Sequence, residues 1–423
     1  MAYKNREQGA SGADRYPYLV IVAFSLGWLV MYSNRTILYP LLPVLGVEFN
    51  LSGVETGAIP SAYFIPYVAM QIPAGMLGDR FGLKRVMIIM NIIAGLGVLS
   101  IGLFARSYLL LLAFVALHGF GAGAFFPTSY AITMSTVSSR VRGVSSAFIT
   151  SGSASGLALG LGLGGFLYLA TQDWRLAIIA PALPIFLVAL CYVPLLKATP
   201  VPSCPPGGFQ QILRNRNLLA ISAAGFCSLY GYWVAVTWGV AFFSSERGMD
   251  LGIAGLYTAA IALTSIPAGI GLGRIPDRVG RKKLSLVMFP MAAAAILMMV
   301  WVQSLVGLVA VMVGYGLFGA LAWFPVSVAW MGDHVTESCP EAMGQALGFF
   351  NTASMAAAIV APVISGWIRD LTGSLVGAFY LGALMVLLGT ILALVPGELV
   401  CHAPTLKGPN VLGDGGEGGL RGK

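Results

Sequence analysis

One stretch of the chain combines a positive charge with aromatic side chains at helical spacing. It consists of Trp28, Tyr32, Arg35 and Tyr39, which follow at intervals of four, three and four in a long apolar run and so share one helical face. Arg35 is the one Lys or Arg deep inside such a run, and no Asp or Glu lies clearly inside one to pair with it. Because a charge in an apolar span is costly without a partner, the stripe predicts reversible binding of an anion.

Other apolar runs carry softer candidates for the same site. Tyr63 and Tyr67 are four residues apart and therefore share a helical face. His118 has an ordinary pKa near neutrality and could carry a coupling proton, although a buried neutral histidine is the plainer interpretation. The remaining candidates are Tyr232, Thr237, Trp238, Trp323, Ser327 and Asn351. Taken singly, each fits helix packing better than ligand binding, and Arg35 itself could be held by backbone carbonyls or reach the surface.

Two charged turns repeat one pattern at a distance close to half the chain. Residues 75–85 and 273–283 both spell G-x-x-x-D-R-x-G-x-[RK]-[RK], with Asp79 and Asp277 198 positions apart. Glycine allows a sharp backbone turn and the basic cluster favours water. Each stretch therefore predicts a tight, charged turn between two hydrophobic helices.

These turns resemble the signature of the major facilitator superfamily of secondary transporters, between its helices 2 and 3 and, more weakly, between helices 8 and 9. The resemblance implies that the turns gate the molecule, through Gly75, Asp79, Arg80, Gly82, Arg85, Asp277, Arg278, Gly280 and Arg281. It also implies that Asp79 faces the N-terminus of helix 11 near 342–344, and Asp277 that of helix 5 near Gly143, where a carboxylate is favourable. Two basic loops that obey the positive-inside rule are the plainer alternative.

Helices 1 and 4 also resemble the anion/cation symporter branch of the superfamily, which moves organic acids. Where that branch has Asp-Arg in helix 1, this chain has Asn34-Arg35. Where it has G-x-G-E-G-x-x-x-P in helix 4, residues 119–127 place Ala122 at the acidic position and keep Pro127. The resemblance implies anion binding at Arg35, while coupling to protons stays open because both acids are replaced.

The elements that must position these residues are membrane helices. The chain has 423 residues, 57% hydrophobic and 9% charged, which is more apolar than a soluble core requires. Its net charge of +8 lies in short loops between apolar runs, which disfavours a nucleic-acid partner. A membrane helix needs about 20 apolar residues, and the predicted runs are 17–43, 53–77, 86–104, 108–136, 143–170, 175–195, 217–243, 252–275, 284–302, 305–331, 343–367 and 375–396.

The predicted fold is an all-α membrane protein with twelve transmembrane helices in two pseudo-symmetric six-helix halves. We expect a cytoplasmic leader at 1–15, halves at 16–195 and 217–396, a Pro- and Gly-rich linker at 196–216 and a disordered Gly-rich tail at 397–423. Nineteen Lys and Arg fall on one predicted face and four on the other, so the positive-inside rule puts both termini in the cytoplasm. We expect a monomer in the plasma (inner) membrane.

Helix 5 carries a row of glycines, namely Gly152, Gly156, Gly160 and Gly164. Their spacing by four puts them on one face, which predicts close approach of another backbone. The stretch also resembles the helix-5 signature of antiporters in the superfamily, but Leu161 replaces its proline. Close packing is the favoured interpretation.

The sequence as a whole predicts a secondary transporter that moves a small, carboxylate-like organic anion by alternating access. Efflux of hydrophobic or cationic drugs is an alternative, but it calls for a cavity carboxylate. A membrane sensor that binds without transport is another. The sequence offers no nucleophile–base pair, metal cluster or phosphate loop, so we expect no enzymatic activity, cofactor or metal. The expected partners are an anionic small molecule and the lipid bilayer.

Overall fold

The fold is given by a computed structural model that describes residues 16–137, 142–197, 209–272, 280–338 and 343–397. Every regular element in these residues is a helix, and the helices form twelve spans plus a short helix, Phe209–Arg214, inside the predicted linker. The spans are Tyr16–Thr36 continued by Leu38–Glu48 (span 1), Gly53–Phe81 (span 2), Leu83–Phe104 (span 3), Tyr108–Gly123 continued by Phe125–Thr136 (span 4), Arg142–Thr171 (span 5), Trp174–Leu195 (span 6), Arg216–Ser245 (span 7), Leu251–Leu272 (span 8), Arg281–Trp301 (span 9), Leu305–Phe318 continued by Ala320–Ser338 (span 10), Met343–Thr372 (span 11) and Val376–Leu392 (span 12).

Ten of these spans are long and apolar enough to cross a membrane by length and composition. Span 12 is a shorter apolar helix. Span 2 has 29 residues, enough for about 44 Å of helix, but its three prolines and Gln71 make it less apolar. The all-α class with twelve spans is thus confirmed.

Prolines explain two breaks inside the spans that the apolar runs do not reveal. Span 1 is interrupted after Thr36, four residues before Pro40, and span 4 after Gly123, four residues before Pro127. A proline ring collides with the carbonyl four residues earlier and lacks an N–H to bond it. The helices therefore shift at these points and then continue.

Span 11 is longer than its apolar run, because Arg369 and Asp370 end the run but not the helix. The helix stops at Gly373, whose φ of 74° lies in the left-handed region that favours glycine. This extension brings Asp370 into the last helical turn.

The packing of the spans repeats between the two halves. In the first half span 1 packs on span 5, span 2 on span 4 and span 3 on span 6. In the second half span 7 packs on span 11, span 8 on span 10 and span 9 on span 12. Across the halves, span 2 meets span 11 and span 5 meets span 8, so adding six to each span number reproduces the same arrangement. The exact limits of the halves and linker stay predictions, and the leader 1–15 and residues 398–423 of the tail lie outside the described residues.

The glycine row of span 5 forms a close seam with span 1, as predicted. A Cβ added at any of the four glycines would come closer than 3.0 Å to a backbone carbonyl oxygen of span 1. Those oxygens belong to Ser25, Leu29, Ser33 and Ile37, which are themselves spaced by four. The two backbones therefore touch along three helical turns, and this seam fixes span 1 in the first half.

Candidate functional site

Arg35 lies in the interior with its guanidinium surrounded by aromatic rings. Its side chain is 4% exposed. The guanidinium carbon is 3.7 Å from the ring centroid of Tyr32, 5.3 Å from that of Phe64, 5.4 Å from that of Trp233 and 5.8 Å from that of Tyr63. Each such contact stabilises a desolvated cation by about 2 kcal/mol without neutralising it. These five residues are called the Arg35 cage below.

Within the described residues, no carboxylate forms an ion pair with Arg35, and its buried Nε has no hydrogen-bond partner. Glu55 is engaged at the start of span 2, where it accepts a hydrogen bond from the Ser52 backbone N–H at 2.8 Å. Asp333 forms an ion pair with Arg281. Glu55 and Asp333 are thus committed elsewhere, and the cage presents a cation that no described carboxylate pairs with.

The residues beside Arg35 attach span 1 to its neighbours. Asn34 Nδ2 donates to the backbone oxygens of Val30, at 2.9 Å, and of Pro181 in span 6, at 2.8 Å. Thr36 Oγ1 donates to the Leu157 backbone oxygen of span 5 at 3.3 Å. Asn34, which stands where the symporter branch has aspartate, therefore directs its amide nitrogen to span 6 and serves as a structural anchor.

The aromatic stripe of span 1 continues on the N-terminal side of Arg35. The rings of Trp28 and Tyr32 are 5.2 Å apart, and Trp28 also contacts Phe125 of span 4 at 5.0 Å. Trp28 Nε1 and the hydroxyl of Tyr39, which is also buried, have no described hydrogen-bond partner. Both are polar groups available in the interior.

Tyr67 and His118 extend the cage outward from Tyr63. The rings of Tyr63 and Tyr67 stack at 5.5 Å, and the Tyr63 ring lies 5.0 Å from the imidazole of His118. His118 is completely buried, and its Nδ1 lies 3.1 Å from the Ala94 oxygen of span 3. This is a buried, hydrogen-bonded histidine, and its role in proton coupling stays a prediction.

Several other candidates have their polar contacts at helix junctions. Trp238 Nε1 donates to the Pro362 oxygen of span 11 at 3.0 Å. Trp323 Nε1 donates to Ser285 Oγ of span 9 at 2.8 Å. The structure thus commits both indole N–H groups to packing rather than to the cage.

The last candidates lie along spans 7, 10 and 11. Tyr232 packs its ring 5.0 Å from that of Trp233. Asn351 Nδ2 donates to Gln71 Oε1 at 3.0 Å and so links span 11 to span 2. Thr237 and Ser327 are buried, and Ser327 donates to the Phe324 oxygen of its own helix.

Sequence reasoning misses two residues of the cage, Phe64 and Trp233. Trp233 stands 198 positions after Arg35, the offset that separates the two signature turns. Applying that offset to the stripe of span 1 would have found it. Phe64 had no comparable signal, because its place beside the guanidinium depends on how spans 1 and 2 pack.

The two ends of the molecule differ in how closely the halves approach. The end that carries the signature turns, with Gly82 and Gly280, is called the motif end below. The opposite end, with Gly53 and Gly366, is called the far end. At the far end a Cβ on Gly53 would come closer than 3.0 Å to the Gly366 oxygen. Asp370 of span 11 accepts from the backbone N–H groups of Gly53, at 2.5 Å, and Val54, at 2.8 Å. Spans 2 and 11 are therefore closed against each other there.

Spans 5 and 8 are closed against each other at the same end. A Cβ on Gly165 would come closer than 3.0 Å to the Leu251 backbone, and one on Gly255 would meet the Leu161 oxygen equally closely. Both interfaces between the halves are thus close backbone contacts at the far end.

Toward the motif end, glycines of these spans have open space beside them. A Cβ added at Gly75 of span 2, at Gly348 of span 11 or at Gly271 of span 8 would meet no described atom within 4 Å. The Gln71–Asn351 pair still links spans 2 and 11 between these glycines and the far end, and the close backbone contacts described between the halves all lie toward the far end.

The signature turns have the backbone that their glycines predict. Gly82 and Gly280 have φ of 88° and 97°, in the left-handed region that side chains disfavour. Arg80 and Arg85 are exposed. The Asp79 side chain, Asp277, Arg278 and the proposed contacts near Gly143 and 342–344 lie outside the described part of the chain.

Comparison with known proteins assigns the family. Residues 24–353 match the model of the Major Facilitator Superfamily. The chain belongs to this family. It is therefore a multi-pass membrane transporter and not an enzyme. In the described residues, no group of three or more His, Cys, Asp or Glu could hold a metal ion.

The chain is similar to two transporters along most of its length. It is 25% identical over 388 residues to the probable sulfoacetate transporter SauU of Cupriavidus necator, across 84% of this chain and 88% of that protein. It is 24% identical over 413 residues to the probable galactarate/D-glucarate transporter GudP of Bacillus subtilis, across 86% and 89%. Its fold resembles that of a bacterial homolog of the human lysosomal transporter Spinster, solved in an inward-facing and occupied conformation, with a TM-score of 0.73, 16% identity and coverage of 91% and 96%.

Proposed function

We propose that this transporter moves a small organic anion by alternating access, and that Arg35 binds the anionic group. The observation that carries the proposal is a buried guanidinium that no described carboxylate compensates. A guanidinium presents a planar fork of donors that matches carboxylate or sulfonate oxygens. Sulfoacetate and galactarate, the substrates named for two relatives, are both organic anions, which supports the same class here.

An anion bound at the cage would contact both halves of the protein. Arg35 belongs to span 1 and Trp233 to span 7, and their side chains face each other at 5.4 Å. Trp233 Nε1 is buried and has no described partner, so it is available as a second donor. Binding would therefore draw the halves together around the substrate, which is the contact that alternating access requires. The other predicted binding residues would either contact the anion or hold the cage in place by packing. They are Trp28, Tyr39, Tyr67, His118, Tyr232, Trp238, Trp323 and Asn351.

We further propose that the protein lies in the plasma (inner) membrane as a monomer, with both termini and the motif end on the cytoplasmic side. The described arrangement would then be open toward the cytoplasm. The signature-turn residues would close the motif end when the far end opens. Drug efflux is less well supported, because it calls for a carboxylate at the cage.

Thermal stabilisation of the purified protein tests the proposal, since a ligand that binds the folded state raises its apparent stability by mass action. The panel consists of mono- and dicarboxylates, sulfonates, phosphate and hydrophobic cations. We expect at least one organic anion to stabilise the wild type but not Arg35→Gln. The matched control, Arg106→Gln, removes a charge from an exposed loop position and should respond like wild type. Stabilisation by hydrophobic cations alone would contradict the proposal.

A further inference from the structure

The imidazole of His118 offers the cage a hydrogen-bond acceptor, and we propose that its Nε2 accepts a hydrogen bond from a hydroxyl group of the transported anion. The inference rests on the proposed function and sharpens the substrate class to hydroxylated organic anions. It makes His118 a residue that determines specificity.

The tautomer of His118 follows from its contact with span 3. Nδ1 lies 3.1 Å from the Ala94 carbonyl oxygen. A carbonyl oxygen only accepts hydrogen bonds, so Nδ1 carries the proton, and in the neutral ring Nε2 is then a bare acceptor. Nε2 is buried and has no described partner. An unsatisfied buried acceptor is costly, and a substrate hydroxyl would satisfy it.

The direction of Nε2 follows from the same contact. Nδ1 and Nε2 lie on opposite sides of the imidazole, so anchoring Nδ1 on span 3 turns Nε2 away from that span. Tyr63 of span 2 covers the ring at 5.0 Å, and the Tyr63 ring is itself 5.8 Å from the Arg35 guanidinium carbon. Arg35 and His118 thus both contact the ring of Tyr63.

Several buried polar groups of spans 1, 4 and 7 have no described partner, and they divide into donors and acceptors. Arg35 Nε, Trp28 Nε1 and Trp233 Nε1 are buried without described partners, and all three can only donate. They suit an anionic group, which only accepts. His118 Nε2, like Asn34 Oδ1, which is also buried without a described partner, suits a group that donates. A hydroxyl displaced from the anionic group of the same molecule meets both requirements, whereas an unsubstituted chain leaves the imidazole unsatisfied.

Matched pairs of anions test the inference by titration of the purified full chain. Malate is compared with succinate and galactarate with adipate, because each pair shares a carbon chain and differs in hydroxyl groups. We expect wild type to bind at least one hydroxylated member about tenfold more tightly than its partner. His118→Leu should reduce that ratio to about one while the unsubstituted acid still binds. His118→Gln, which keeps an acceptor, should restore part of the preference.

His334→Leu is the control, because it also removes a buried imidazole, one in span 10 outside the cage, and should keep the preference. Equal wild-type affinities within both pairs would overturn the inference, whatever the variants do. So would a preference that persists in His118→Leu. In either case anion binding that Arg35→Gln abolishes would leave the proposed function standing, whereas no binding of any anion would overturn both.

Discussion

The two halves share one helical arrangement, but among the described residues only the first half places a charge at its centre. Positions related by the 198-residue offset carry the pairs Trp28 and Phe226, Tyr32 and Tyr230, and Arg35 and Trp233. The first two pairs keep an aromatic spine, with ring separations of 5.2 Å in span 1 and 6.2 Å in span 7. The third pair places a cation in one half against an indole in the other. The symmetric scaffold therefore brings equivalent positions together, and the departure from symmetry at Arg35 supplies the positive charge.

The seams that hold these central spans differ between the halves as well. Span 5 supplies glycines against span 1, whereas the position equivalent to Gly156 is Ser354 in span 11. In the second half the glycine belongs to span 7, since a Cβ on Gly225 would meet Ser354 Oγ. The same close approach is thus reached with the small residue on the other helix.

The interfaces at the far end show a third departure. Asp370 at the end of span 11 accepts from the backbone N–H groups that begin span 2. The equivalent residue at the end of span 5 is Gln172, which donates to the Leu169 oxygen of its own helix. Among the described residues, a charged latch therefore closes only one of the two symmetric interfaces.

The largest expected effect comes from removing the charge that distinguishes the first half. Arg35→Gln should lower the initial rate of anion uptake into proteoliposomes on the order of a hundredfold, because losing one side of a desolvated charge contact costs about 2–5 kcal/mol. The protein should remain folded, since no described ion pair depends on Arg35. Uptake within twofold of wild type would mean that the cage is not the binding site.

Gly156→Ala breaks the first-half seam. The new Cβ would collide with the Leu29 carbonyl, and such overpacking costs about 1–3 kcal/mol. We expect a lower melting temperature in detergent. Ser354→Ala is the matched change in the second half and should cost clearly less, because it removes atoms rather than adding them. Equal destabilisation by both would contradict the difference between the seams.

Trp233→Phe tests the other side of the central pair by keeping an aromatic ring and removing the N–H. We expect about tenfold weaker anion binding, since a hydrogen bond to a charged group contributes about 1.5–3 kcal/mol. Trp330→Phe removes another buried indole N–H without a described partner and should leave affinity unchanged. If both variants bind like wild type, Trp233 only packs against Arg35.

The smallest effect is expected at the latch. Asp370→Asn removes a carboxylate from a helix N-terminus, which is worth about 0.3–1 kcal/mol, so opening of the far end should rise about two- to fivefold. The readout is thiol labelling of Thr56→Cys, which is buried beside the far-end contact, in a protein freed of its five native cysteines. Glu48→Gln, at a carboxylate that pairs within the first half, is the control. Unchanged labelling in Asp370→Asn would exclude the latch.

Local features of this molecule can be predicted from the sequence more readily than features that depend on contacts between distant residues. The spans follow from apolar length, and the turn backbone at Gly82 and Gly280 follows from residue type, because both are local properties. The glycine seam was predicted for span 5, but its partner carbonyls in span 1 were not, since they depend on packing. Phe64 and the Asp370 latch also required the fold, whereas Trp233 was recoverable from the repeat. Trp238 and Trp323 were softer candidates that each fit packing better when taken singly, and the structure gives their N–H groups partners in other spans.

The central claim is that the Arg35 guanidinium itself binds the anionic group, and Arg35→Lys tests this claim most directly. This change keeps the charge but replaces the planar fork with a compact ammonium. Titration of an anion that stabilises the wild type should give a dissociation constant at least tenfold higher for Arg35→Lys. An unchanged constant would show that any positive charge suffices, and would contradict recognition by the guanidinium fork.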